Sequence, residues 1–224
     1  MIRFSRFGQG TALVFAAAVM SGGLATVRPA SAQTIIDAWQ SVKVPAAPTL
    51  AAVKADLATT ALLVLDFNGA QDPTKGPCNS RTKPRCLASL PKVAKLLSEA
   101  RANGMLVVFS LGGSGTPADI ATVLAPKDGE AIVKSGPDKF VGTNLDAILS
   151  ARGIKNLIVT GTASEGAVLD TATHAALNGM HIILPVDGMS STELYAEQYV
   201  AWHMMNAPGV STKTTLTSID QISF

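Results

Sequence analysis

The sequence predicts a three-layer α/β/α sandwich built on a six-stranded, mostly parallel, Rossmann-like sheet. Three observations carry this. Short apolar runs and amphipathic stretches alternate strictly from residue 61 to residue 214. The runs are apolar at successive positions, as in strands buried on both faces. Several amphipathic stretches end on Asn-Gly or Arg-Gly, which are helix stops.

The first strand is Ala61-Leu62-Leu63-Val64-Leu65, ending in Asp66. Val93, Leu96, Leu97 and Ala100 give 91–102 helical spacing, closed by Asn103-Gly104. Residues 105–109 form a second strand and 117–124 a short helix. Residues 131–133 are a brief third strand ending at Lys134, and 143–151 a helix closed by Arg152-Gly153. A strand at 157–159 runs into Thr160-Gly161, and the helix 165–177 stops at Asn178-Gly179. Strand 180–186, helix 191–205 and strand 210–214 complete the alternation, which argues for a parallel sheet covered by helices on both faces. In such sheets ligands bind beyond the carboxyl ends of the strands, where strand order reverses. The residues to inspect are therefore Asp66, Phe67, Asn68, Ser110, Lys134, the stretch 160–167 and Asp187.

Composition narrows the class. The 224 residues are 47% hydrophobic, with 15% charged and 5% aromatic side chains, too apolar for a disordered chain. No charge block marks a nucleic-acid tail, so no nucleic-acid partner is expected. Residues 1–32 combine Arg3 and Arg6, an apolar run from Thr11 to Met20, and Ala30-Ser31-Ala32, the pattern of a cleaved signal peptide. The alternative is a membrane anchor, but Ser21-Gly22-Gly23 breaks the run short of the ~20 residues a span needs. The expectation is a periplasmic or secreted protein, with no membrane span after cleavage and an N-terminal arm at 33–57 packed on the domain that begins at residue 58. Arg3, Arg6 and Arg28 leave with the leader, so the formal charge moves from +2 to −1.

Export also bears on the two cysteines. Cys78 and Cys86 close the short loop CNSRTKPRC, and a disulfide is expected in an oxidising compartment. Metal binding is the competing reading, with no His or further Cys nearby to support it. Asp66 and Lys134 each end an apolar strand, where a charge is costly unless paired. They are expected either to pair at the cleft or to reach solvent as ordinary strand-end residues. Lys75, Arg81, Lys83 and Arg85 make the loop after the first strand basic, either to meet an anionic substrate or as a solvated loop. Gly112-Gly113-Ser114-Gly115 reads as a flexible cleft-edge loop rather than an anion cradle. Tyr195, Tyr199 and Trp202 form a stripe expected to pack in the core, or else at a subunit interface. His174 and His203 are read as lying on helices without acidic or Cys partners and receive no role.

Several segments together resemble the isochorismatase-like hydrolases, also called the cysteine hydrolase superfamily. They are ALLVLDF at 61–67, VKSGPDKFVGTNLDAILSARG at 133–153, NLIVTGTASEGAVLDTATHAALNG at 156–179 and HIILPVDG at 181–188. The resemblance spans about 58–216. It implies that Asp66 is the general acid/base and Lys134 its cationic partner. It places the family's nucleophilic Cys at position 167, which here is Ala167. It implies an oxyanion hole from the backbone amides of Ala163 and Ala167, and a cis peptide between Thr162 and Ala163. Substrate contacts are expected from Phe67, Asn68 (where relatives commonly carry Gln), Phe140, Thr162 and Ser164. The nicotinamidase-type metal site needs His residues after the first strand, and none is present, so no metal and no cofactor are expected. Family members with Gly in place of the Cys cleave a vinyl ether by protonation from the Asp and addition of water. The reading is thus an exported hydrolase acting on a small molecule by vinyl-ether, C–N or C–O hydrolysis through an Asp–Lys pair, without a covalent Cys intermediate. The alternatives are a non-catalytic member that binds a small ligand or protein partner, and Ser164 or Thr162 as a substitute nucleophile. A homo-oligomer is also possible by this resemblance.

Overall fold

Six consecutive side chains from Thr60 to Leu65 are buried, and they divide by parity. Ala61, Leu63 and Leu65 enter one apolar cluster, whereas Leu62 and Val64 enter the other. A strand that feeds two cores in this way must lie in the middle of a sheet with helices above and below. The computed structural model, which describes residues 34–224, has this arrangement. The expected signal peptide lies outside the described residues.

The described chain divides after Val44. In the first unit, α1 (Ile35–Ala38) is capped by Thr34, whose amide and hydroxyl both donate to Asp37 Oδ2. The second unit, Pro45–Phe224, carries the sheet. It begins thirteen positions before the expected domain start at residue 58, because Pro45–Leu50 lies against the last long helix. In chain order its elements are β1 (Val53–Lys54), β2 (Thr60–Leu65), α2 (Pro84–Ala102), β3 (Leu106–Leu111), β4 (Ala131–Lys134), α3 (Leu145–Ala151), β5 (Asn156–Thr162), α4 (Leu169–Leu177), β6 (His181–Pro185), β7 (Met189–Ser190), α5 (Leu194–Asn206), β8 (Thr214–Thr217) and β9 (Ile222–Ser223).

The main sheet runs β4-β3-β2-β5-β6-β8, every neighbour parallel, with the two-residue β7 alongside the end of β5. β1 and β9 form a separate short parallel pair. Helices α3, α4 and α5 cover one face with Leu149, Ala172, Ala175, Val200 and Met204. Helix α2 covers the other with Val93, Leu96, Leu97 and Ala100. Each fully buried Leu contributes about 1.5–3 kcal/mol relative to exposure, so the two faces together dominate the stability.

The structure moves some expected boundaries. Helix α2 starts at Pro84, not at 91, because a proline at N1 lacks an N–H that has no helical acceptor anyway. Pro91 then sits inside the helix on its exposed side. Residues 117–124 form two 3₁₀ turns, Pro117–Asp119 and Thr122–Leu124, rather than one helix. Between them the backbone is drawn to the sheet: Ala121 N donates to Phe67 O at 2.9 Å and Ile120 bridges Asn68. The last sheet strand begins at Thr214, after a 3₁₀ turn at Ser211–Lys213. The Tyr195, Tyr199 and Trp202 stripe is exposed, correcting its expected place in the core. The core face of α5 is Val200, Ala201 and Met204.

Candidate functional site

Strand order reverses between β2 and β5, so a crevice opens beyond their carboxyl ends. A cavity of about 280 Å³ lies there, bounded by Asp66, Pro77, Gly112, Pro137, Thr162 and Ala167. A larger apolar groove of about 580 Å³ runs between Pro45–Leu50 and α5, remote in its lining from any of these strand-end residues. The buried acid Asp66 lines the smaller one.

Asp66 follows β2 with φ +56°, a left-handed turn that directs its carboxyl into the crevice. Its side chain is 8% exposed. Ser110, near the end of β3, donates from Oγ to Asp66 Oδ1 at 2.6 Å. The other oxygen, Oδ2, accepts from Lys139 Nζ at 2.7 Å. Burial pushes the Asp66 carboxyl above the ordinary carboxylate range, and the Lys139 charge and the Lys139 and Ser110 hydrogen bonds oppose this without cancelling it. Gly112 passes so close that a Cβ there would lie 2.8 Å from Asp66 Oδ2. Only glycine leaves room for the acid.

The cation beside Asp66 is therefore Lys139, correcting the expected pairing with Lys134. Lys134 is the last residue of β4 and is exposed, because the inward position of that strand belongs to Val133. Its ammonium donates to Gly115 O at 2.9 Å. The chain then turns through Ser135-Gly136-Pro137 and returns, bringing Lys139 in with no exposed surface at all. Besides Asp66, its ammonium donates to Gly136 O at 2.8 Å. Two lysines five residues apart flank this turn, and sequence spacing alone does not say which one dips inward.

On the opposite wall, the Thr162–Ala163 peptide is cis, as the resemblance implies. A π-helical turn, Ser164–Val168, leads into α4. The amides of Gly166 and Val168 donate to Ala163 O. Ala163 and Ala167 line the cavity. The arrangement thus presents a raised carboxyl with a cation behind it, the elements needed to move a proton, and Ala163 and Ala167 on the facing wall.

Among the expected substrate contacts, Thr162 lines the cavity and its hydroxyl donates to Pro77 O at 3.4 Å. The other four do not line it. Phe67 is buried in the α2-side core because it follows the left-handed turn and points away. Asn68 clamps the glycine loop, accepting from Gly112 N at 3.0 Å and donating to Gly112 O at 3.2 Å. Phe140 stacks on His174 with centroids 4.5 Å apart. Ser164 is wholly buried, its hydroxyl donating to Glu165 Oε2 at 3.3 Å.

The basic loop contributes only Pro77 to the lining. Arg85 makes a two-point pair with Glu197 at 2.8 and 2.5 Å, Lys75 faces Asp72 and Lys83 donates to Thr192. The Cys78–Cys86 disulfide is formed and buried, which accounts for both cysteines of the sequence. No cluster of metal-ligating side chains occurs among the described residues, and no described helix is long and apolar enough to cross a membrane.

Comparison with known proteins agrees with this fold. The family model described as isochorismatase domain matches residues 60–217. The secreted isochorismatase effector Isc1 of Verticillium dahliae is 31% identical over 48% of this chain and 62% of its own length. The chain therefore spans about three-fifths of that relative. The ureidoacrylate amidohydrolase RutB of Stutzerimonas stutzeri is 30% identical over 61% of this chain and 77% of its own. Among solved structures, an isochorismatase-like hydrolase from Alkaliphilus metalliredigens superposes with a TM-score of 0.62 at 24% identity, covering 73% of this chain and 96% of that one, a likeness of fold. By its matched domain and its architecture, this chain belongs to the isochorismatase family.

Proposed function

We propose that the protein is an exported hydrolase that acts on a small molecule through Asp66 and Lys139, without a covalent enzyme intermediate. The observation that carries this reading is the raised Asp66 carboxyl, held by a wholly buried lysine across a cavity from Ala163 and Ala167. In its protonated form Asp66 gives its proton to the bond to be broken, at the vinyl carbon or the leaving heteroatom. Water then adds to the oxocarbenium ion so formed, or to the carbonyl carbon the substrate already carries, and the Asp66 carboxylate takes up the proton that water releases. The hemiketal or tetrahedral adduct collapses to a carbonyl product, breaking the C–O or C–N bond and releasing the protonated leaving group as an alcohol or amine. Lys139 keeps the carboxylate stable in its buried position between the two transfers. The amides of Ala163 and Ala167 stabilise negative charge on a carbonyl oxygen, a contribution independent of either side chain. Export is supported by the leader-like residues 1–32, by the disulfide and by the likeness to the secreted effector of Verticillium dahliae.

The test is turnover by the full chain and its Asp66→Asn variant on a panel of vinyl ethers, esters, amides and ureides. Loss of at least about 10²-fold is expected for the variant, the usual scale of general acid–base catalysis. Full activity of Asp66→Asn would overturn the mechanism. Alanine in place of a cysteine at position 167 also suits a member that binds without turnover. That reading predicts a ligand-induced rise in melting temperature with no product after long incubation.

A further inference from the structure

We propose that His174 is a positioning residue for the site: with Asp138, it latches the loop bearing Lys139 onto α4 and so sets where the lysine ammonium stands. The inference rests on the reading of Asp66 and Lys139 as the working pair.

Lys139 lies in an irregular segment between β4 and α3, so no sheet or helix ladder fixes its backbone. Side chains do so instead. Lys139 N donates to Thr171 Oγ1 at 3.1 Å, and Lys139 O accepts from Thr143 Oγ1 at 2.6 Å. Phe140 N donates to Asp138 Oδ1 at 2.9 Å, folding the residues on either side of Lys139 toward one another. The other Asp138 oxygen lies 2.8 Å from His174 Nδ1, and the Phe140 ring lies nearly parallel to the His174 ring, 10° apart. Thr171 and His174 are one turn apart on the same face of α4. They therefore hold the loop at two points, one at Lys139 itself and one at the residues flanking it.

The chemistry of the latch is particular to histidine. One ring nitrogen meets Asp138 while the flat face meets Phe140, so a single side chain grips both neighbours of Lys139. Its charged surroundings are few. Asp138 faces it directly, and Asp170 on α4 senses the Asp138 charge, which with burial raises the Asp170 carboxyl. The Lys139 ammonium itself points away, to Asp66 and Gly136 O. A loosened latch would let the segment 137–140 drift from α4, and the ammonium would withdraw from Asp66.

The Asp66 carboxyl reports this directly, with no substrate needed. The full chain is labelled with carboxyl-¹³C aspartate, the Asp66 signal is assigned with Asp66→Asn, and its titration is followed by NMR. An opposite charge at this distance lowers a carboxyl by about 1–3 units, so Lys139→Met raises the Asp66 midpoint by that much and sets the ceiling. His174→Ala is expected to raise it by about half a unit or more, part of that same range. His174→Gln keeps a donor for Asp138 and His174→Phe keeps the stacked face, and each is expected to restore part of the difference. His174 is part-exposed, so the substitutions leave the core untouched. An unmoved midpoint in His174→Ala, with circular dichroism showing a folded chain, would overturn the latch. An unmoved midpoint in Lys139→Met would overturn the pair itself. Turnover plays no part in either outcome, so failure of the proposed reaction remains separable from failure of the latch.

Discussion

Lys139→Met probes the centre of the site. The lysine has no exposed surface, and its ammonium is held by Asp66 and the Gly136 carbonyl. Methionine has similar volume and no charge, so packing is largely kept while the cation is lost. Removing one member of a buried pair costs about 3–5 kcal/mol. Asp66 can limit the loss by taking up a proton, and neutralising a carboxyl of ordinary pKa near pH 7 costs about 4 kcal/mol, the same size. In a domain of this length each kcal/mol moves the melting temperature by about 2–4 °C, so a fall of roughly 10 °C is expected.

The pH dependence has a definite sign. Burial already holds the Asp66 carboxyl above its ordinary value, and losing Lys139 raises it further. A carboxyl whose folded value is raised favours the fold below its unfolded value, and that advantage is lost as pH rises through the folded value. The Lys139→Met deficit is therefore largest near pH 7 to 8 and shrinks toward about pH 4. Melting curves followed by circular dichroism across this range measure it. Adding Asp66→Asn should recover much of the loss, since no buried charge then remains. Lys134→Met, at an exposed position, should change stability by no more than about 0.5 kcal/mol. A small, pH-independent effect of Lys139→Met, below about 2 °C, would refute the buried pair.

Three further outcomes concern residues in and around the cavity. Asn68→Ala removes the side-chain acceptor of the Gly112 amide and leaves the Gly112 carbonyl with the Gly115 amide alone, and should cost about 1–3 kcal/mol, with faster hydrogen exchange at Gly112 and Gly113. Cys78→Ser opens a disulfide with a sequence separation of 8, and loop-closure entropy puts the loss at about 2.5 kcal/mol. Urea denaturation with and without reductant measures it, and reductant should not further destabilise the variant. Ala167→Cys places a thiol in the first turn leading into α4, opposite Asp66. A lowered thiol pKa is expected, read as iodoacetamide alkylation near pH 6 faster than that of a free model thiol, with amide hydrolysis as a second readout.

The sheet was legible because each strand is a run of adjacent apolar residues, and parity at Ala61–Leu65 is all that two covered faces require. The acid was legible for the same reason, since a carboxylate after Leu65 ends a run that tolerates no charge. The site's cation was not. Lys134 satisfies the same strand-end rule, but β4 is an edge strand whose last side chain escapes to solvent. Lys139 is placed by contacts to Thr171 and Gly136, which periodicity does not encode. Asn68 likewise sits beside Asp66 in sequence yet clamps a loop forty-four positions away. The α5 stripe misled because its aromatics are spaced as a core face would be, while the smaller Val200, Ala201 and Met204 make the actual contact.

The left-handed backbone at Asp66 limits which amino acids the position can accept. At φ +56° most side chains cost roughly 1–2 kcal/mol, while glycine, asparagine and aspartate enter readily. Of those three, only aspartate carries a proton to give. Glutamate, the obvious alternative acid, would bring strain and an extra methylene into a space where even a Cβ on Gly112 does not fit. Alanine scanning at this residue would mix conformational strain with lost chemistry, whereas asparagine removes the acid alone. Any sequence drift that keeps this turn can silence the acid in one step, to asparagine or glycine, but has no second acid to offer.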